Sequence, residues 1–157
     1  MITKLPEHCM NTGEPYTEYA LLSGTYNNQL IIDIGTYRGF SAFAFAQNET
    51  NQVHTFDIAN YIEIELPKNV TVHKKGGLDI PAALIKKANI ILLDVDPHDG
   101  IKEPEIYKHI VKSGFKGILI CDDINLNDGM RKFWDSIDMP KIEKNWHHSG
   151  TGLAYIE

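Results

Sequence analysis

The sequence predicts an α/β fold, doubly wound and Rossmann-like, with a mostly parallel sheet and a C-terminal antiparallel hairpin. Three observations carry that expectation. Residues 29–34, 53–58, 89–95 and 117–121 read as buried strands, with Ile, Leu and Val near-continuous in the first, third and fourth, and 70–73 is a shorter fifth. Apolar runs without alternation mark strands buried on both faces, as in a parallel sheet covered by helices. Helical segments fall between these strands, the alternation expected of a doubly wound sheet. The chain closes on 141–147 and 153–156 flanking Ser149-Gly150-Thr151-Gly152, which reads as a hairpin with one strand running antiparallel.

Taken in order, residues 1–15 are polar with two prolines, and 16–22 form a short helix lying over the sheet edge. Residues 1–28 together make an N-terminal extension that packs on the sheet. The segment 41–47 is rich in Ala and Phe. Pro81 opens a helix over 81–88, at a position where a missing N–H costs nothing. Pro104 opens another over 104–112, stopped at Ser113-Gly114 by a glycine C-cap. Met130, Phe133, Trp134 and Ile137 recur at helical spacing within 128–137 and are assigned to core packing. No repeat, linker or low-complexity segment interrupts the chain, so 1–157 reads as a single domain.

At 157 residues the chain is long enough to bury a core, and 43% apolar with 23% charged residues is ordinary for a globular protein. A net charge of −6 argues against nucleic-acid binding, which relies on clustered Lys and Arg. The basic doublets Lys74-Lys75 and Lys86-Lys87 read as solvated surface. No apolar run approaches the roughly 20 residues of a spanning helix, so no membrane is expected. Cys9 lies in a polar stretch and Cys121 in an apolar one, so no bridge is expected, and the cysteine usage suits a reducing, cytoplasmic setting.

The chemistry begins at Ile31-Ile32-Asp33-Ile34-Gly35-Thr36-Tyr37-Arg38-Gly39-Phe40-Ser41, a strand ending in an acid, then a glycine turn, then a helix. Gly35 and Gly39 let backbone approach a ligand, and N–H groups ahead of the helix attract a carboxylate. Asp33 suits an ammonium, directly or through water. Asp57 ends the second strand 22 residues beyond Gly35, where an acid accepts hydrogen bonds from ribose hydroxyls. Asp94 ends the fourth strand and Asp122-Asp123 the fifth. Three carboxylates at neighbouring strand ends repel unless a proton or cation neutralises them, and open oxygen ligands suit Mg²⁺, Mn²⁺ or Ca²⁺. Asp96 and Asp99 read as loop caps. The spacing D-x-G-x-x-x-G-x-S is not the G-x-G-x-x-G of dinucleotide folds, which shifts the favoured cofactor from NAD to S-adenosylmethionine (SAM).

These residues resemble the class I SAM-dependent methyltransferases, and among them the metal-dependent O-methyltransferases of the catechol and macrolide-sugar type. The resemblance spans about residues 29–157 and rests on IIDIGTYRGFSA, the 28-residue interval from Asp94 to Asp122, and the closing HHSGTGLAYIE. It implies that main chain around Gly35, Thr36 and Tyr37, with Ser41, holds the methionine moiety and that Asp57 takes the ribose. Asp94, Asp122 and Asp123 would ligate a divalent cation, most simply Mg²⁺. In relatives the second residue of that pair is often Asn, so Asp123 is a departure that adds negative charge. The implied reaction is methyl transfer to a hydroxyl of a small molecule or of a sugar or glycan. His98, in the loop after the Asp94 strand, is the leading general base, although Pro97 shifts its offset from the family's. His147 and His148 are alternatives. The dozen residues between Asp57 and Val70 and the short N-terminal segment leave the acceptor side open. That suits a large acceptor, a lid from a second subunit of a homo-oligomer, or a degenerate chain that binds SAM weakly. The competing readings are an NAD(P)-dependent oxidoreductase and a non-catalytic SAM-fold binding module.

Overall fold

The computed structural model describes residues 13–157. Cys9 and the rest of residues 1–12 of the expected N-terminal extension lie outside the described residues; Cys121 is buried and unbridged. The elements follow as α1 (Tyr16–Thr25), β1 (Leu30–Ile34), α2 (Phe40–Phe45), β2 (Gln52–Asp57), β3 (Val70–Lys74), a 3₁₀ turn (Gly77–Asp79), α3 (Ala82–Lys87), β4 (Ile90–Leu93), α4 (Lys102–Lys112), β5 (Gly117–Cys121), α5 (Asp128–Ser136), β6 (Lys141–Lys144) and β7 (Thr151–Ile156).

The seven strands form one sheet in the order β3-β2-β1-β4-β5-β7-β6. β1 pairs in parallel with β2 and β4, β2 with β3, and β4 with β5. β7 runs antiparallel to both β5 and β6, so the closing hairpin inserts its second strand beside β5. The winding reverses between β1 and β4, and the crevice outside their carboxyl ends is where such sheets bind ligands.

Successive side chains on the buried strands feed two separate cores. Ile32, Ile34, Phe56, Ile91, Leu93 and Leu119 pack with Ile85, Ile106, Ile110, Met130, Phe133 and Trp134 from α3, α4 and α5. Ile31, Val53, Ile90, Leu92 and Ile120 point the other way, onto Tyr19, Ala20, Phe40 and Phe45 of α1 and α2. This two-sided burial is why the runs of β1, β4 and β5 lack alternation, whereas β3, expected to be buried as well, is the edge strand and has no buried residue. Met130, Phe133, Trp134 and Ile137 are all within the first core, as their spacing indicated.

α1 departs from expectation. It is longer than the 16–22 segment and lies on α2 rather than over the sheet edge. Tyr19 stacks on Phe45 with ring centroids 5.0 Å apart, Tyr16 meets Phe40 edge-on, and Ser23 Oγ donates to the Phe45 carbonyl. Two aromatics one turn apart gain more by covering the Phe-rich face of α2 than by lying on a sheet edge. Gly114, with φ +79, ends α4 as the sequence suggested, while α5 begins at an Asn127 cap whose Oδ1 accepts from Met130 N at 3.0 Å. Lys74, Lys75, Lys86 and Lys87 are exposed. Among the described residues no helix is long and apolar enough to cross a membrane.

Candidate active site

A cavity of about 1020 Å³ opens at the carboxyl ends of β1, β2, β4 and β5. Its walls include Gly35, Tyr37, Asp57, Asp94, His98, Asp122 and Asp123, so most of the residues singled out by sequence converge on one space. Tyr37, Ile58, Tyr61 and Leu78 stand at least half exposed around it.

The glycine turn has a steric origin. Gly35 adopts φ +109, and a Cβ there would overlap the carbonyl oxygen of Asp94. Only glycine lets β1 leave the sheet so close to β4 at the reversal point. Gly35 and Thr36 N–H groups both donate to the Phe56 carbonyl, at 2.8 and 3.3 Å, and Gly39 N donates back to Thr36 O. The turn's first N–H groups are therefore engaged within the fold, and its ligand-facing surface is formed by Gly35, Tyr37, Arg38 and Phe40.

Asp33, Thr36, Gly39 and Ser41 are not on that surface; they form its buried support. Asp33 Oδ2 accepts from Thr55 Oγ1 at 2.6 Å and from Ser41 Oγ at 3.1 Å, and Thr36 Oγ1 lies 2.5 Å from Thr55 Oγ1. Asp33 Oδ1 is buried with no hydrogen-bond partner. Burial pushes the carboxyl up to about 7, against the two hydroxyl donors that lower it. A half-ionised carboxyl under the turn suits a positive group above it, and the orphan oxygen is where such a group or a bridging water would be felt. Asp57 does reach the cavity. Its Oδ2 accepts from Tyr37 N at 2.9 Å and Oδ1 from Ala59 N at 3.0 Å, which fixes the carboxylate at the wall. Each oxygen retains a lone pair for a diol.

The acid end divides in two. Asp94, His98 and Asp123 each offer a ligand atom within 4.8 Å of the others. Asp122 is directed elsewhere: buried, it accepts from Thr151 Oγ1 at 3.1 Å, and its Oδ1 lies 2.8 Å from His147 Nε2, in contact but outside hydrogen-bond alignment. The three carboxylates expected together are thus neighbours whose donor atoms do not share one focus. Desolvation, then the charges of Asp122, Asp123, Asp33 and Glu14, raise the Asp94 carboxyl well above the usual range. Burial lowers the pKa of His147, but the Asp122 contact and the charges of Asp122, Asp123 and Glu14 outweigh it, and the net shift is upward. His148 is exposed and contacts Ser149 Oγ at 3.1 Å. Asp99 caps its loop by accepting from Ile101 N, whereas Asp96, expected to do the same, reaches His98 Nε2 at 3.4 Å.

The donor set fits a divalent cation. Carboxylates that repel, an imidazole among them, and a His98 Nδ1 that is buried without a hydrogen bond are the features of a site that a cation completes. The cavity also fits a nucleoside with an amino-acid tail, with Asp57 and the Gly35 turn along one side.

The residues that sequence reasoning missed come from the segment ahead of β1. Glu14 and Tyr16 line the cavity, and Glu14 Oε2 lies 3.9 Å from His147 Nδ1. Burial and then Asp94, Glu14, Asp122 and Asp33 raise the Tyr16 phenol far above its ordinary value. The available signal was Glu14-x-Tyr16-x-x-Tyr19, an acid just ahead of a helix whose first turn carries two aromatics on one face.

No family model matches the chain, and no curated protein sequence does. Solved structures do. The O-methyltransferase TomG from Streptomyces achromogenes, involved in tomaymycin synthesis and bound to SAM, superposes with a TM-score of 0.71 at 16% identity, over 99% of this chain and 92% of that one. The fold is that of the O-methyltransferases. An O-methyltransferase from Bacillus cereus in complex with S-adenosylhomocysteine (SAH) gives a TM-score of 0.67 at 17% identity, over 98% and 84% of the two chains. A methyltransferase from Podospora anserina bound to SAH gives 0.61 at 15% identity, over 96% and 93%. The chain therefore spans nearly the whole O-methyltransferase fold despite its short β2–β3 connection.

Proposed function

We propose that the protein is a SAM-dependent, divalent-metal-assisted O-methyltransferase acting on a hydroxyl of a small molecule or of a sugar or glycan. The observation that carries this reading is that Asp57, the Gly35 turn and the Asp94–His98–Asp123 group wall a single cavity. The likeness to SAM- and SAH-bound structures supports the choice of cofactor. The absence of G-x-G-x-x-G and the acid wall both disfavour a nicotinamide.

Asp57 would hold the ribose diol, with its carboxylate fixed by the Tyr37 and Ala59 N–H groups. The Gly35 turn, over the buried Asp33, would take the methionine end. Asp94 and Asp123 would hold the cation, which when bound would lower the pKa of an acceptor hydroxyl. Bound there, SAM would give its methyl to the acceptor hydroxyl oxygen and leave as SAH, and the hydroxyl proton would go to a basic group on the same wall. His98 or the Asp96 carboxylate beside it is placed to receive it. The chain's main contribution is alignment of donor and acceptor in a walled site. Exposed Ile58, Tyr61 and Leu78 leave the mouth open, in keeping with a bulky or polymeric acceptor.

Calorimetry with SAH and with NAD, each with and without Mg²⁺, tests the reading. Binding of SAH and not NAD is expected. Binding of NAD in preference would favour the oxidoreductase, and binding of neither would reject both.

A further inference from the structure

His98 is open to two roles, base or ligand, and its surroundings decide between them. Its Nε2 lies 3.6 Å from Asp94 Oδ1 and 3.4 Å from Asp96 Oδ1, and its Nδ1 lies 3.7 Å from Asp123 Oδ2. These separations are too long for good hydrogen bonds. No ion bonds both nitrogens of one imidazole, so these contacts are not the edges of one ligand set; what places the three together is that Asp94, His98 and Asp123 each have one donor atom within 4.8 Å of the others. Nδ1 is buried and makes no hydrogen bond, and the ring is only 18% exposed.

The backbone holds this arrangement. His98 and Asp123 are both in the left-handed region, at φ +54 and +56, and such conformations in non-glycine residues collect at functional sites. Asn127, which caps α5, also donates through Nδ2 to the His98 carbonyl at 2.7 Å. Gly100 meets the Gly129 backbone so closely that a Cβ on either would collide, which locks the His98 loop onto α5. A second, fully buried imidazole points at the same group: His147, whose side chain is 0% exposed, has Nδ1 3.9 Å from Asp123 Oδ1 and 3.9 Å from Glu14 Oε2, with neither ring nitrogen hydrogen-bonded. Its other nitrogen faces Asp122, which is also held by Thr151.

We propose that His98 is a nitrogen ligand of the cation, in a two-carboxylate, one-imidazole set with Asp94 and Asp123, and that Asp122 and His147 are positioning residues behind Asp123. The proposal rests on the metal-assisted half of the functional reading and deepens it. His98 is then not a free base. An imidazole in place of a third oxygen favours Mn²⁺, Fe²⁺, Co²⁺ or Zn²⁺ over Mg²⁺, and a buried outer-shell pair such as Asp122–His147 orients the ligand it faces.

The test uses Mn²⁺ titrated into the full chain and followed by electron paramagnetic resonance, with spin-echo modulation read on the bound ion. One Mn²⁺ per chain is expected, with imidazole ¹⁴N modulation that converts to a ¹⁵N pattern in ¹⁵N-histidine-labelled protein. His98→Gln should abolish the modulation and weaken Mn²⁺ binding at least tenfold, whereas Asp122→Asn and His147→Gln should retain the modulation. Bound Mn²⁺ without nitrogen modulation, modulation that survives His98→Gln, or no Mn²⁺ binding would each overturn the proposal. Circular dichroism checks that His98→Gln is folded; if it is not, loss of modulation in a folded His147→Gln overturns the assignment and its retention supports it. SAH binding to the metal-free chain is measured in parallel, so failure of the ligand assignment is distinguishable from failure of the methyltransferase reading.

Discussion

Replacing Asp33 by Asn isolates the energetic consequence of a carboxyl buried under the glycine turn. Asn keeps a carbonyl oxygen for the Thr55 and Ser41 hydroxyls and removes the charge. In the folded chain Asp33 holds its proton up to about pH 7, whereas the ordinary value is 3.8. Between those values the native state binds more protons than the unfolded state, so stability falls as pH rises through the window and levels off above about 7. The whole displacement corresponds to about 4 kcal/mol, of which about 3 kcal/mol falls between pH 5 and pH 8.5. Urea denaturation of both chains at pH 5, 6, 7 and 8.5 reads it directly. The stability of Asp33→Asn relative to wild type should grow by about 3 kcal/mol across that range, steepest between pH 5 and 6. Titrations common to both chains, such as that of His147, largely cancel in the difference. A difference that does not change with pH would refute the reasoning, because Asp33 would then be ionised throughout.

Other outcomes follow from the same geometry. Gly35→Ala sets a side chain against the Asp94 carbonyl at φ +109 and should cost about 3 kcal/mol or more in urea denaturation; a loss below about 1 kcal/mol would mean that β1 and β4 can part freely. Trp134→Ala empties a fully buried site in the first core and removes the Nε1 bond to Glu143, so a loss of about 3–5 kcal/mol is expected, with a near-wild-type midpoint counting against the packing described. Asp57→Ala should weaken SAH at least tenfold in calorimetry, since hydrogen bonds to a charged partner contribute about 1.5–3 kcal/mol, and unchanged affinity would remove Asp57 from the ribose site.

The central strands and their mostly parallel character were legible because burial on both faces leaves a plain mark: Ile31-Ile32 and Ile90 to Leu93 carry apolar side chains to two cores at once. The closing hairpin was legible from its glycine turn, although its insertion beside β5 is a matter of pairing that no local pattern records. The site was legible as far as strand ends go, since Asp57, Asp94, Asp122 and Asp123 sit where a parallel sheet must present them. Direction was not. Asp122 and Asp123 are adjacent, yet a left-handed backbone at Asp123 turns it toward His98 while Asp122 remains with Thr151 and His147. Likewise Asp33 and Ser41 look like ligand contacts in the motif but bond to each other under the wall. Glu14 and Tyr16 were hidden because their role depends on α1 docking on α2, a contact between apolar faces rather than a motif.

A crystal structure of the protein with SAH and Mn²⁺ tests the central claim most directly. The account predicts ribose hydroxyls within hydrogen-bond reach of Asp57, the amino-acid end over the Gly35 turn, and the ion on the Asp94–Asp123 wall of the same cavity. Nucleoside density elsewhere, or an empty cavity at millimolar SAH, would contradict it.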